Sequence, residues 1–203
     1  MTLTAVFESW HIADGNYPPL RRGQIVRLSF EMEPSIIEVS HILGPEYLHD
    51  LQGGEYSFSA KVLRVYLRDS KKIVVLDALG FRFYLCSPEI DQVDVGDTLV
   101  GRGKLLLDHY IWVEFLAEYS DPPDLFYTLK VHRIRMVTIP EHLIARAEKG
   151  IASPCSLSQS DYSASDILDI ASMEQPRSGM AFYLLDLDDT GLDAVTLPLT
   201  FRT

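Results

Sequence analysis

The sequence predicts a mainly β fold. It expects a five-stranded barrel in the middle of the chain, further strands on both sides as a second barrel or sheet, and two or three short helices. Three observations lead there. Apolar and polar residues alternate over several runs, the signature of half-buried strands. Turn chemistry rich in Gly, Pro and Asp separates those runs at short intervals. Of 203 residues, 47% are hydrophobic and 10% aromatic, enough to fill a core, and only 23% are charged, which excludes wholesale disorder.

The first stretch, 1–54, opens with a strand over Thr2–Trp10 and a turn at Asp14-Gly15-Asn16-Tyr17-Pro18-Pro19. Asp-Gly favours positive φ, and Pro-Pro cannot join a ladder. From Gln24 to Met32, Val26, Leu28, Phe30 and Met32 point one way while Arg27, Ser29 and Glu31 point the other, and Pro34 is expected to end the strand. Residues 36–43 fit a strand or a helix. Between Gly44-Pro45-Glu46 and Gly53-Gly54 there is room for at most two helical turns, with Pro45 near their start.

The middle stretch, 55–120, carries the barrel. Tyr56–Leu67 is a long strand whose apolar face shifts from Tyr56, Phe58, Ala60 and Val62 to Leu63, Val65 and Leu67, which predicts a bulge. A turn at Asp69-Ser70-Lys71 leads to a strand over Ile73–Ala78, and a turn at Gly80 to another over Phe81–Cys86. After a connector over 87–96, Thr98–Leu107 is the fourth strand, its Gly101 and Gly103 softening it for sharp curvature. A turn at Asp108-His109 and a fifth strand over Tyr110–Leu116 complete the set. This order, together with the run Val95-Gly96-Asp97-Thr98-Leu99-Val100-Gly101-Arg102-Gly103, resembles an OB-fold barrel over residues 55–118, with a connector too short for the usual inter-strand helix.

The last stretch, 121–203, starts at the rigid boundary Asp121-Pro122-Pro123-Asp124. A long strand is expected over 125–139 and a helix over 140–149, the latter from the capping-box spacing of Thr138 and Glu141 and the closing Gly150. Residues 153–165 read as a serine-rich flexible linker or surface loop, and Ser163-Ala164-Ser165-Asp166 starts a short helix to about Met173. Met180–Leu187 and Leu192–Phe201 form a hairpin through Asp188-Asp189-Thr190-Gly191, with Pro198 placing the second arm at an edge.

The formal charge is −11. Such a field repels nucleic acid unless basic residues cluster locally. They do so in the barrel stretch: Arg64, Arg68, Lys71, Lys72 and Arg82 accompany Tyr84, the residue types that line single-strand grooves. Against that, Phe81 and Phe83 share a face that a barrel core would claim. The resemblance to OB folds implies an OB-type binder of single-stranded nucleic acid as one function.

The acidity is spread over every stretch, and its functional reading is a protein partner with a basic surface, met by steering carboxylates. Immunity proteins, which neutralise nuclease toxins in this way, resemble the chain in size and charge. The expected function is therefore a non-enzymatic, cytoplasmic interaction module, with the nucleic-acid binder as the alternative and a small metal-dependent enzyme behind both. Trp10, His11, Asp14 and Tyr17 crowd one turn, where they would form a recognition loop or cover the end of a barrel.

Chemistry-bearing motifs are sparse. Glu38-x-x-His41 and Glu46-x-x-His49 have metal-ligand spacing on a helix. They lie too close together, however, to sit on the separate long helices a di-iron bundle needs, so no metal or other cofactor is expected. Asp186-x-Asp188-x-Thr190-Gly191 begins like a calcium loop, but Leu197 stands where the bidentate Glu belongs. No nucleophile elbow and no phosphate-cradling glycine motif is present. With two cysteines, Cys86 and Cys155, disulfides do not organise the fold. Met1–Glu8 lacks a signal-peptide pattern, and no window approaches the roughly 20 apolar residues of a membrane span. The expected location is a reducing cytoplasm.

Overall fold

The computed structural model describes residues 2–8, 10–13, 15, 17–40, 44–68, 71–87, 90, 92–108, 124–141, 162–170 and 182–190. The chain divides into two compact units, one made of residues 30–106 and the other of residues 1–29 and 107–203.

Residues 30–106 form a closed five-stranded barrel with mixed strand directions. Its strands are β4 (Phe30–Ser40), β6 (Glu55–Arg68), β7 (Lys71–Ala78), β8 (Phe81–Ser87) and β9 (Thr98–Leu107). β6, β7 and β8 form an antiparallel meander, and β9 returns antiparallel to β6, with Phe58 opposite Gly101. The fifth place, between β8 and β9, is filled by β4, which runs parallel to β8 with Glu31 opposite Tyr84. The OB-like reading therefore holds at the level of the barrel, with one change. The fifth strand precedes the first in the chain, where the sequence expectation put it at Tyr110–Leu116. Those residues lie outside the described ones.

The barrel interior is aromatic and aliphatic because inward positions alternate along each strand. Phe30, Met32, Phe58, Ala60, Val62, Val74, Leu76, Phe83, Leu85, Leu99 and Leu105 are all fully buried. The expected bulge is present: pairing of β6 with β7 slips between Val62 and Arg64, which turns Arg64 and Tyr66 to the outer face, opposite Val75 and Ile73.

Pro34 does not end its strand. β4 runs on to Ser40, and the two glycines of β9 show how it is accommodated. A Cβ at Gly101 would lie 2.6 Å from the Ile36 carbonyl oxygen and 2.9 Å from the Phe58 ring. One at Gly103 would collide with the Glu33 carbonyl and Pro34 Cα. The glycines are there because a neighbouring backbone crosses closely, more than for curvature as such.

The helical turns expected between Gly44 and Gly54 are instead a strand, β5 (Tyr47–Gln52), paired antiparallel to β6. Positive φ at Gln52, Gly53 and Gly54 makes the hairpin connection, and the edge of β6 left open before β7 begins takes β5 as its partner. β7 and β8 are joined by Leu79 and Gly80, both at positive φ (57° and 85°), the backbone of a two-residue hairpin turn. Gly80 N–H donates to Asp77 Oδ1 at 2.7 Å and Leu79 N–H to Glu46 Oε2 at 3.1 Å.

The other unit centres on β10 (Tyr127–Thr138). One side of β10 pairs with β13 (Phe182–Asp189), which pairs in turn with β1 (Thr2–Glu8). Its other side is shared by β3 (Ile25–Leu28) and β11 (Ser163–Ile167). A small separate pair joins β2 (Leu20–Arg21) to β12 (Asp169–Ile170). Leu3, Ala5, Phe7, Leu28, Leu129, Val131, Ile134, Leu185 and Leu187 form the apolar layer of this sheet. The short helix expected from Ser163 to Met173 is replaced by β11 and β12. The residues of β11 are exposed or half-buried, and the open edge of β10 offers them a hydrogen-bond ladder. The long strand over 125–139 and the strand over 180–187 are found as β10 and β13. Almost all of the helix expected over 140–149, and the hairpin arm 192–201, lie outside the described residues. α1 (Trp10–Ala13) is a single helical turn, and Glu141, at the start of the expected helix, is helical as well.

Candidate interaction surface

The N-terminal turn packs inward. Phe7 and His11 stack with ring centroids 5.3 Å apart, and Tyr17 meets Phe7 edge-on at 5.9 Å. His11 is buried. The Tyr17 hydroxyl donates to the Asp108 carbonyl at 2.8 Å, and Ser29 Oγ donates to Asp108 Oδ2 at 3.0 Å. Burial, reinforced by the Asp108 charge, pushes the Tyr17 hydroxyl far above its ordinary value, so it stays a neutral donor. His11 and Tyr17 are thus packed against Phe7 and Asp108 of their own unit. Asp14 and the Trp10 side chain lie outside the described residues.

Among the barrel's basic residues expected at a single-strand groove, Arg64, Lys72 and Arg82 have described side chains. Arg64 is exposed and turns its guanidinium back to the Leu63 carbonyl at 3.1 Å. Arg82 Nε is held by Asp77 Oδ2 at 3.2 Å. Arg68 and Lys71 face each other at the end of the β6–β7 hairpin, with side chains outside the described residues, and Lys72 is half-buried. Tyr84 lies on the outer face beside Arg82, as its alternation requires, yet it is fully buried and donates its hydroxyl to Glu31 Oε2 at 3.3 Å. Ile73 and Val75, its outward neighbours on β7, are buried as well. Phe81 and Phe83 pack together inside, 5.8 Å apart. Stacking of bases needs open ring faces, and the described residues of β7 and β8 present none.

Of the metal-spaced residues, Glu38, Glu46 and His49 are described. Glu46 and His49 fall at odd spacing on an extended chain, so they point to opposite sides. Glu46 is engaged with the β7–β8 turn, Glu38 is exposed on β4, and His41 lies outside the described residues. Among the described residues no cluster of three His, Cys, Asp or Glu side chains is placed to hold a metal. Asp186 and Asp188, the start of the calcium-like spacing, stand on one face of β13. Asp186 accepts from Thr4 Oγ1 at 2.9 Å and Arg135 Nη2 at 2.5 Å, and Asp188 accepts from Thr2 Oγ1 at 2.8 Å.

That face carries a charged lattice absent from the sequence expectations. His132, the residue left over at the bulge between Val131 and Arg133, has Nδ1 3.3 Å from Asp188 Oδ2. Arg133 Nε donates to Asp166 Oδ1 at 2.7 Å, which holds the Asp166 carboxyl below the usual carboxylate range. In the barrel, Arg102 grips both oxygens of Glu55 at 2.6 and 2.9 Å, and this hydrogen bonding holds the Glu55 carboxyl low. The alternations Arg133-Ile134-Arg135 and Asp186-Leu187-Asp188 were the available signal, since period-two charge on two paired strands meets across the ladder.

β5 is the most exposed regular element of the barrel unit. None of its residues is buried, and Tyr47, His49, Asp50 and Gln52 are open to solvent. It ends the strand order on its side, so its outer edge has no strand partner among the described residues. Just before it, Gly44, Pro45 and Glu46 are exposed too.

Comparison of the chain with protein-family models, with curated proteins and with solved structures returns no match. Among the described residues no helix is long and apolar enough to cross a membrane.

Proposed function

We propose that the chain is a non-enzymatic interaction module of the cytoplasm that binds a protein partner through a basic surface on that partner. The observation that carries this reading is the disposition of charge. Arg82, Arg102, Arg133 and Arg135 are each held by a carboxylate of the chain itself. Those pairs are neutral, so the surplus behind the net charge of −11 is carboxylate. Glu38, Glu141 and Asp169 are exposed and have no ionic partner among the described residues. A surplus of this kind steers encounter with a cationic surface and disfavours a phosphate backbone.

The test is capture from the source cell with the tagged chain at low ionic strength. A basic polypeptide should be retained and should elute as salt rises through about 0.3 M, where screening shortens the reach of the field. Retention of this chain alone would overturn the reading. So would salt-sensitive binding of an oligothymidylate, which favours the single-stranded nucleic-acid reading instead.

A further inference from the structure

We propose that the open edge of β5 receives an extended, lysine- or arginine-bearing segment of the partner as an added strand. The inference rests on the interaction reading above and gives it a place. A strand at a sheet edge turns every second N–H and C=O outward, and proteins ordinarily guard such rows with lysine, proline, bulges or a covering element. β5 has neither lysine nor arginine. Pro45 stands just ahead of it, and its bulge lies between Asp50 and Gln52. Tyr47–Asp50 is therefore a regular window, paired to β6 from Tyr47 opposite Ser59 to Asp50 opposite Tyr56.

The window is held by its ladder to β6 and by no buried side chain of its own, although Tyr47, Leu48 and Leu51 are apolar or aromatic. An added strand would cover them. The charges around the window choose the occupant: Glu46 and Asp50 are exposed carboxylates at its two ends. A second copy of the chain would set these carboxylates against each other. A segment with cations at alternate positions would pair with them, and main-chain hydrogen bonds would supply the rest.

The probe is a short capped peptide of alternating valine and lysine, tested on the full chain by fluorescence anisotropy and by hydrogen exchange. Binding is expected with slowed exchange at residues 47–50. The same peptide with glutamate for lysine should not bind. Methylation of alternate peptide amides, which removes the outward donors, should abolish binding. The double variant Glu46→Gln and Asp50→Asn should weaken it by about tenfold or more, because each amide still accepts the local hydrogen bond but has lost its charge. Three results overturn the proposal: no binding of the lysine peptide, binding that slows exchange elsewhere, or equal binding of the methylated peptide. Dimerisation in sedimentation that protects the 47–50 amides as concentration rises overturns it as well. Capture of a basic partner that leaves β5 exchange unchanged removes the edge assignment and keeps the broader interaction reading.

Discussion

At residue scale the positions that matter most are those where backbones meet. Gly103→Ala drives a methyl into the Glu33 carbonyl and Pro34 Cα, both main-chain atoms that cannot rotate away. It should destabilise the protein by about 3 kcal/mol, measured by urea unfolding, or abolish folding. Leu79 shows the opposite case. It is 72% exposed and sits at φ 57°, a conformation that penalises a branched apolar residue and suits asparagine. Leu79→Asn should raise stability by roughly 0.5–1 kcal/mol. Glu55 supplies a pH prediction. Its carboxyl is held low in the folded protein by hydrogen bonds from Arg102. A depressed folded value means the stabilisation is present above the unfolded value and is lost as pH falls through the folded one. Arg102→Met should let the Glu55 titration, followed by carbon NMR, rise toward 4.5, and should make stability fall less steeply with acid than in the parent. Glycines and turn dipeptides are visible in the sequence, but the reason for Gly103 is not, because the strand it meets lies some 70 positions away.

At element scale the strands differ in what holds them. Leu76 on β7 is fully buried, with Phe83 and Val62 as its neighbours across the ladder, whereas Leu48 on β5 is only half-buried. Leu76→Ala should cost about 2–5 kcal/mol and Leu48→Ala under about 1 kcal/mol in the same unfolding assay. Equal costs would show that β5 is covered in solution. Strands with clean alternation, such as β7, β8 and β10, are legible from pattern alone, as is the bulge after Val62. β5, β11 and β12 look helical in the sequence because short polar segments with a capping residue satisfy helix rules locally. Their state is decided by open edges on β6, β10 and β2, which only the assembled sheet supplies. Pro34 looks like a stop for a related reason: proline forbids one donor, and whether that donor is needed depends on which neighbour lies beside it.

At the scale of the whole molecule, charge dominates. Screening a net charge of −11 should raise the melting temperature between about 20 mM and 0.3 M salt, because relief of self-repulsion outweighs exposed ion pairs worth under about 1 kcal/mol each. A melting temperature that falls with salt would mean that the Arg–carboxylate lattice outweighs the self-repulsion. The basic-and-aromatic inventory of the barrel is likewise legible, but not its disposition: composition cannot say that Tyr84 donates to Glu31 or that Arg82 answers Asp77. By itself the chain determined its β character, most strand positions, the aromatic filling of the barrel and the sign of its field, since all of these follow from alternation and composition. Tertiary structure alone decided that β4 takes the fifth place and that, among the described residues, β7 and β8 lack an open stacking face and the outer edge of β5 has no strand partner. Those outcomes depend on pairing between distant segments, where closure of the ladder outweighs the local preferences that a sequence displays.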